Sequence, residues 1–212
     1  MSFATDRDLL MYEPSVFHDV PLASQQRVRV TDATVSGTAL TSSSADFEAA
    51  GVGVGGVVLV NGIAHEVVSR TDANTLSVSL PRESTDDEAI APPAGTAMEA
   101  VCRTFAPQIA AVGLELLTAL GIDPDDADSS VTEDDILSLS TMVQLEALGT
   151  LACIYRGTIA ISGDNAGVRA KAEDYERRFG QACRAVNVRI EVNSQTQGTV
   201  RKSAGHPCLR RI

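Results

Sequence analysis

TEDDILSLSTMVQLEALGTLACIYRGTIAI, residues 132–161, carries the pattern of one long, mostly apolar helix. Thr132 suits the N-cap, and Glu133, Asp134 and Asp135 set negative charge against the positive end of the helix dipole. Ile136, Leu139, Val143, Ala147, Thr150 and Ile154 recur at helical spacing, and Leu137, Leu148, Leu151 and Tyr155 widen the stripe. Ser162-Gly163 ends it. Such a helix would be roughly 40 Å long. Apolar over so much of its circumference, it must be covered on several sides. Leu137, Leu148, Leu151 and Tyr155 are therefore candidates for a contact with a neighbouring subunit.

Two more helices flank it. Pro107 suits a first turn, and Ile109, Val112, Leu116 and Leu120 follow at helical spacing up to Gly121. After it, Val168, Ala172, Tyr175, Phe179, Ala182 and Val186 form a narrow seam bordered by Arg169, Lys171, Glu173, Glu176 and Arg177. Val188, Ile190 and Val192 then alternate as a short strand.

The first half follows a different period. Thr5–Glu13 predicts a short capped helix stopped by Pro14, followed by an extended apolar connector through Val16, Phe17, Val20 and Leu22. Arg27-Val28-Arg29-Val30 alternates with period two, and Thr34–Leu40 reads as a second strand. Asp46–Ala50 makes a helical turn closed by Gly51. Val57–Val60, Asn61-Gly62 and Ile63–Ser69 form a hairpin, because Asn-Gly supplies the positive φ values of a type I′ turn. Leu76, Val78 and Leu80 alternate with serines, and Met98–Arg103 is a last strand. Five or six short strands with tight turns predict a small closed or nearly closed antiparallel barrel around Val28, Val30, Val58, Val60, Val67, Leu76 and Val78. The expected fold is thus α+β, an N-terminal β-barrel module and a C-terminal bundle of about three helices. The domains fall at 1–25 (helix and connector), 26–103 (barrel), 104–192 (helical core) and 193–212 (tail).

The chain has 212 residues and a formal net charge of −11, with 4% aromatics and no Trp. That composition disfavours stacking platforms and non-specific nucleic-acid binding. The tail runs the other way: Arg201, Lys202, Arg210 and Arg211 stand beyond the last acidic residue, Glu191. A basic tail on an acidic body suits docking on an acidic partner. The opening MSFATDRDLL has no basic segment followed by an apolar run, and no stretch is long and apolar enough for a membrane span, so a soluble chain made in the cytosol is expected.

No motif assembles chemistry. Gly51–Gly56 matches GxGxxG, but a turn precedes it and a strand follows, the reverse of the order that cradles a dinucleotide. Asp123, Asp125, Asp126 and Asp128 fail the calcium-loop pattern, which would need an oxygen ligand at Ala127 and glycine at Asp128. Cys102, Cys153, Cys183 and Cys208 lack CxxC spacing, and His18, His65 and His206 are far apart. Glu146 is the one notable carboxylate of the long helix, facing either solvent or an arginine such as Arg156. The expectation is no enzyme, no metal and no cofactor.

The opening TDRDLLMYEPSVFHDV, the barrel segment DFEAAGVGVGGVVLVNGIAHEVVSRTDANTLSVS, the join TFAPQI and the helical C-terminal half resemble the neck proteins of tailed bacteriophages, in particular head–tail connector (adaptor) proteins. The resemblance implies a virion protein assembled in the host cytoplasm as a homo-oligomeric ring, typically of twelve copies. Its partners would be the portal above and a stopper or tail protein below, with DNA as passing cargo. The tail residues Arg201, Lys202, Arg210 and Arg211 would dock on the portal. The barrel leaves a second neck or tail role open: stopper, tail terminator or baseplate. A cellular barrel that binds peptide or RNA is the remaining alternative. It would need Arg27, Arg29, Arg70 and Arg82 on one face, with Phe47 as its aromatic.

Overall fold

The computed structural model describes residues 2–20, 22–125, 131–162, 165–192 and 198–203. It is a mixed helix-and-sheet structure with two compact units: Thr5–Ala106, and Pro107 onward together with the residues up to Ala4.

The first unit is a closed six-stranded antiparallel barrel. Its strands are β1 (Gln26–Ser36), β2 (Ala39–Thr41), β3 (Val57–Val60), β4 (Ile63–Asp72), β5 (Thr75–Ser79) and β6 (Gly95–Arg103), in the order β1-β2-β5-β4-β3-β6 with β6 returning to β1. Thr34–Leu40 is not one strand. β1 continues to Ser36, and Gly37, at φ +59°, turns the chain into β2. Register shifts between Gln26 and Val28 and again between Val30 and Val35 let the eleven-residue β1 bend around the closed wall. The β3–β4 turn has Asn61 at φ +48° and Gly62 at +81°, as Asn-Gly requires.

Val30, Val58, Val60, Val67, Leu76 and Val78 fill the barrel, with Val28 half-buried against them and Phe47 closing the interior from the loop after β2. Each fully buried Val or Leu side chain contributes about 1.5–3 kcal/mol of transfer free energy. Helix α1 (Asp6–Tyr12) packs on β3 and β4, on the wall where Val57 and Leu59 face out of the barrel yet are buried. The Thr5 N–H and hydroxyl both donate to the Asp8 carboxylate, at 2.7 and 2.8 Å. The expected extended connector is instead a helical turn, α2 (Val16–Asp19), and Phe17 from it meets Phe105 with ring centroids 5.1 Å apart.

The second unit holds α3 (Ala106–Ala119), α4 (Leu139–Ser162), α5 (Ala166–Ala185) and the hairpin of β7 (Asn187–Val192) and β8 (Gly198–Ser203). α4 starts seven residues later than its sequence pattern suggests. Thr132 and Asp135 close a single 3-10 turn: the Thr132 N–H and hydroxyl both donate to the Asp135 carboxylate. The chain then extends, Ile136 bridges to Ile190, and the Leu137 N–H donates to the Arg189 carbonyl. β7 thus competes for residues that would otherwise be helical.

Most of the expected stripe on α4 is interior, Ala147, Thr150 and Ile154 included, but its N-terminal end is not. Leu139 is exposed and Val143 half-buried, whereas Met142, Leu145, Leu148, Leu151, Ala152 and Tyr155 are interior. Gly149 explains how tightly the helices meet. A Cβ there would stand 2.7 Å from Val112 Cγ1 of α3 and 3.0 Å from the Phe179 ring of α5. Tyr155 stacks on Tyr175 of α5, with centroids 5.9 Å apart and planes 5° apart. β7 alternates as the sequence implies, Val188 and Ile190 inward, and pairs with β8, which lies within the stretch read as the basic tail.

Candidate functional site

Three of the four interface candidates lie inside the chain. Leu148, Leu151 and Tyr155 are at most 3% exposed, so α4 is covered there by its own unit and they cannot meet a neighbour. Leu137 stays at the surface, 45% exposed, joined by Leu139 at 57%. The sequence pattern could not separate these positions, because α4 is buried all round from Leu145 to Ala152 and reaches the surface only towards its ends. On α3 the exposed residues are Ala106, Pro107, Ala110, Leu114, Thr118 and Ala119. None is charged, and Leu114 is half exposed. Glu115, the one charged residue of α3, is half-buried. α5, in contrast, carries eight charged residues.

Of the basic tail, Arg201 and Lys202 lie on β8, opposite Arg189 and Val188 in the register. Arg210 and Arg211 are outside the described residues, as are His206, Cys208, Asp126 and Asp128.

The most tightly built polar group was not legible in the sequence. Glu66 faces outward from β4, opposite Val57, and is 1% exposed. Its two carboxylate oxygens accept from Nε of Arg7 on α1 and Nε of Arg82 in the β5–β6 connection. Arg7 Nη2 also donates to the Arg82 carbonyl, and Arg82 Nη1 donates to the carbonyls of Thr85 (3.2 Å) and Asp87. A buried carboxylate is tolerated when charge and hydrogen bonds are both matched. Here the match ties α1, β4 and the 82–87 loop together.

Other ionisable groups are placed singly. Asp6, at the start of α1, accepts from the Phe105 N–H at 2.7 Å, and burial pushes its carboxyl up to about 6. His65 is the register partner of Val58 and turns into the barrel, where burial holds its imidazole below the ordinary value. Asp32 accepts from the hydroxyls of Ser42, Ser43 and Ser44 (2.5, 2.8 and 2.7 Å), which hold its carboxyl well below the usual range. It stands in an open cleft of about 510 Å³ with Thr34, Thr41 and Asn74. Glu146 is fully buried and accepts from the Ala4 N–H; it faces neither solvent nor Arg156, which pairs with Glu176. Burial raises the thiols of Cys102 and Cys153 to about 12 and about 11, the wrong direction for nucleophiles.

The glycine loop at 51–56 lies against the start of α1. Gly55, at φ +78°, approaches the Thr5 side chain closely, and its carbonyl accepts from the Arg7 N–H. β3 follows the loop where a nucleotide site needs a helix. Asp123 accepts from the Asp125 N–H at 3.0 Å in a local turn. Among the described residues no group of three His, Cys, Asp or Glu could hold a metal ion, and no helix is long and apolar enough to cross a membrane. Phe47 is buried, Arg82 is spent on Glu66, and Arg70 reaches Glu48 and the Val52 carbonyl. The surface that an RNA-binding barrel would need is therefore not assembled. No protein-family model, curated protein or solved structure matches this chain.

Proposed function

We propose that the chain is a structural protein of a bacteriophage neck, a head–tail adaptor. Its copies form a ring of about twelve beneath the portal, link capsid to tail and leave a channel for DNA. In this reading α3, α4 and α5 are the adaptor's helical bundle, and the chain performs no catalysis and binds no cofactor. It is assembled in the host cytoplasm and resides in the virion.

The uncharged face of α3 is the observation that carries the reading. Pro107, Ala110, Leu114 and Thr118 present a helix surface without charge on a chain of net charge −11. A neighbouring copy can cover such a face without like-charge repulsion, and small residues permit close helix approach. The net negative charge also suits a channel that passes DNA without gripping it. Arg201, Lys202, Arg210 and Arg211 give the C-terminal segment its positive charge for an acidic portal surface.

The test is binding of the full chain to the portal ring of its own particle. A cut after Ser203 removes Arg210 and Arg211 and preserves the β7–β8 pairing. With R201E and K202E added, binding is expected to fall sharply and to lose its salt dependence; unchanged binding would overturn tail docking. The closed barrel favours a second reading, a stopper, tail terminator or baseplate component. Cryo-EM density for the chain away from the portal would select it.

A further inference from the structure

The barrel unit carries its charge on two distinct surfaces. Between residues 5 and 106 there are 14 acidic side chains against six arginines. Arg7 and Arg82 are taken by Glu66, and Arg70 by Glu48. The remaining three, Arg27, Arg29 and Arg103, share the β1–β6 wall. Arg27 and Arg29 alternate with the inward-facing Val28 and Val30, and Arg103 pairs in register with Gln26. The Arg29 side chain is 61% exposed even with Glu99 at 2.7 Å. Arg103 is half-buried with Nη1 on the Phe17 carbonyl; burial and the nearby Arg29 charge both lower its pKa.

The acidic surface is the connection after β5. Glu83, Asp86, Asp87 and Glu88 are all exposed in the β5–β6 connection. Arg82 anchors this loop to Glu66 on β4, three strands from β1 and two from β6 around the closed sheet. The loop is built in advance. Arg82 holds the Thr85 and Asp87 carbonyls, the Asp87 carboxylate accepts from the Ser84 N–H at 2.8 Å, and the Ser84 hydroxyl accepts from the Asp86 N–H at 3.2 Å. Docking it costs little ordering entropy.

We propose that copies of this chain dock head to tail through their barrels, the 83–88 loop of one copy on the Arg27, Arg29 and Arg103 wall of the next. The contact rests on the ring reading and gives it a subunit interface. Because the two surfaces differ, a contact of loop on wall is heterologous, and its repetition closes a ring or extends a filament. A second copy fits better than nucleic acid. The rest of the barrel surface, on a unit with 14 acidic side chains against six arginines, repels a long polyanion, whereas a short rigid acidic loop meets only this wall, where three arginines outweigh Glu99.

Sedimentation velocity of the full chain at low and high salt reads the contact. The parent is expected to associate at low salt and dissociate at high salt. Arg27→Glu with Arg29→Glu, or Asp86→Arg with Glu88→Arg, should each weaken association about tenfold or more. An equimolar mixture of the two double variants should associate again, because each then offers the other a complementary wall. Parent-like association of either variant alone, or no association of the mixture, overturns the proposal. So does binding of a labelled duplex DNA that is lost in Arg27→Glu with Arg29→Glu. Charge-swap behaviour as expected, without portal binding, would retain the barrel contact and reject the neck assignment. Portal binding by variants whose self-association ignores the swap would do the reverse.

Discussion

Glu66 and Arg82 form an ion pair with almost no solvent access, their side chains 1% and 6% exposed. Neither charge has water to return to while the barrel stays folded. Removing Glu66 leaves Arg7 and Arg82 buried without their shared carboxylate, and removing Arg82 leaves Glu66 with Arg7 alone; breaking a buried pair in this way costs about 3–5 kcal/mol. Glu66→Ala is therefore expected to lower the melting temperature of the full chain strongly, and Arg82→Ala nearly as much. The double variant should be far less destabilised than the sum of the two. An additive result in that cycle would mean the pair does not act as a unit.

Gly149 gives a second, sterically defined expectation. A methyl group there meets Val112 Cγ1 at 2.7 Å and the Phe179 ring at 3.0 Å. Overpacking of this kind costs about 1–3 kcal/mol, even though alanine is the better helix former. Gly149→Ala should destabilise, and Val112→Ala in the same chain should recover part of the loss. Chemical denaturation measures both, and stabilisation by Gly149→Ala alone would contradict the packing described.

Asp6 makes stability depend on pH in an unusual direction for a carboxylate. Its folded pKa is raised by burial from 3.8 to about 6, so the folded chain favours the protonated form. The associated stability is fully present below 3.8 and is lost as pH rises through 6. By linkage the loss is about 3 kcal/mol. Asp6→Asn keeps an acceptor for the Phe105 N–H and abolishes the titration. The variant should exceed the parent in stability near pH 8, with the gap closing between pH 6 and 4. A gap that widens on acidification would reverse the assignment.

His65 acts in the opposite sense. Burial lowers its pKa from 6.5, so the neutral ring is the folded form. Its contribution is present above pH 6.5 and is lost as pH falls from there towards the lowered folded value. Because Asp6 gains over part of the same range, the effect is best read in the Asp6→Asn background. There, the chain should weaken below pH 6.5, and a further His65→Leu exchange should flatten the curve. A curve unaltered by that exchange would remove His65 as the cause.

The barrel was readable because its signals are local. Asn61-Gly62 specifies a turn whatever surrounds it, and period-two alternation at Val28–Val30 and Leu76–Val78 sorts inside from outside without tertiary knowledge. The misreadings depend on distant residues. α4 begins at Leu139 because β7, some fifty positions later, captures Ile136 and Leu137 in extended pairing. Packing against α3 and α5, equally distant in sequence, buries α4 around Gly149 and Tyr155, away from the interface the apolar stripe suggested. The Glu66 cluster was equally hidden: Arg7, Glu66 and Arg82 have no spacing in common, and only closure of the barrel brings them together.

The hydrogen bond from the Ala4 N–H to Glu146 joins positions 142 residues apart within the helical unit. During synthesis every residue of the barrel leaves the ribosome after Ala4 and before Glu146. The barrel can therefore complete its sheet while the leading residues still lack their carboxylate, and domains generally fold as they emerge. The helical unit, by contrast, cannot finish until α4 has been made and the segment ending at Ala4 has found it. Order of birth and order of completion are thus inverted for the segment ending at Ala4, and a nascent chain halted before Glu146 would hold a finished barrel while that segment is still unanchored.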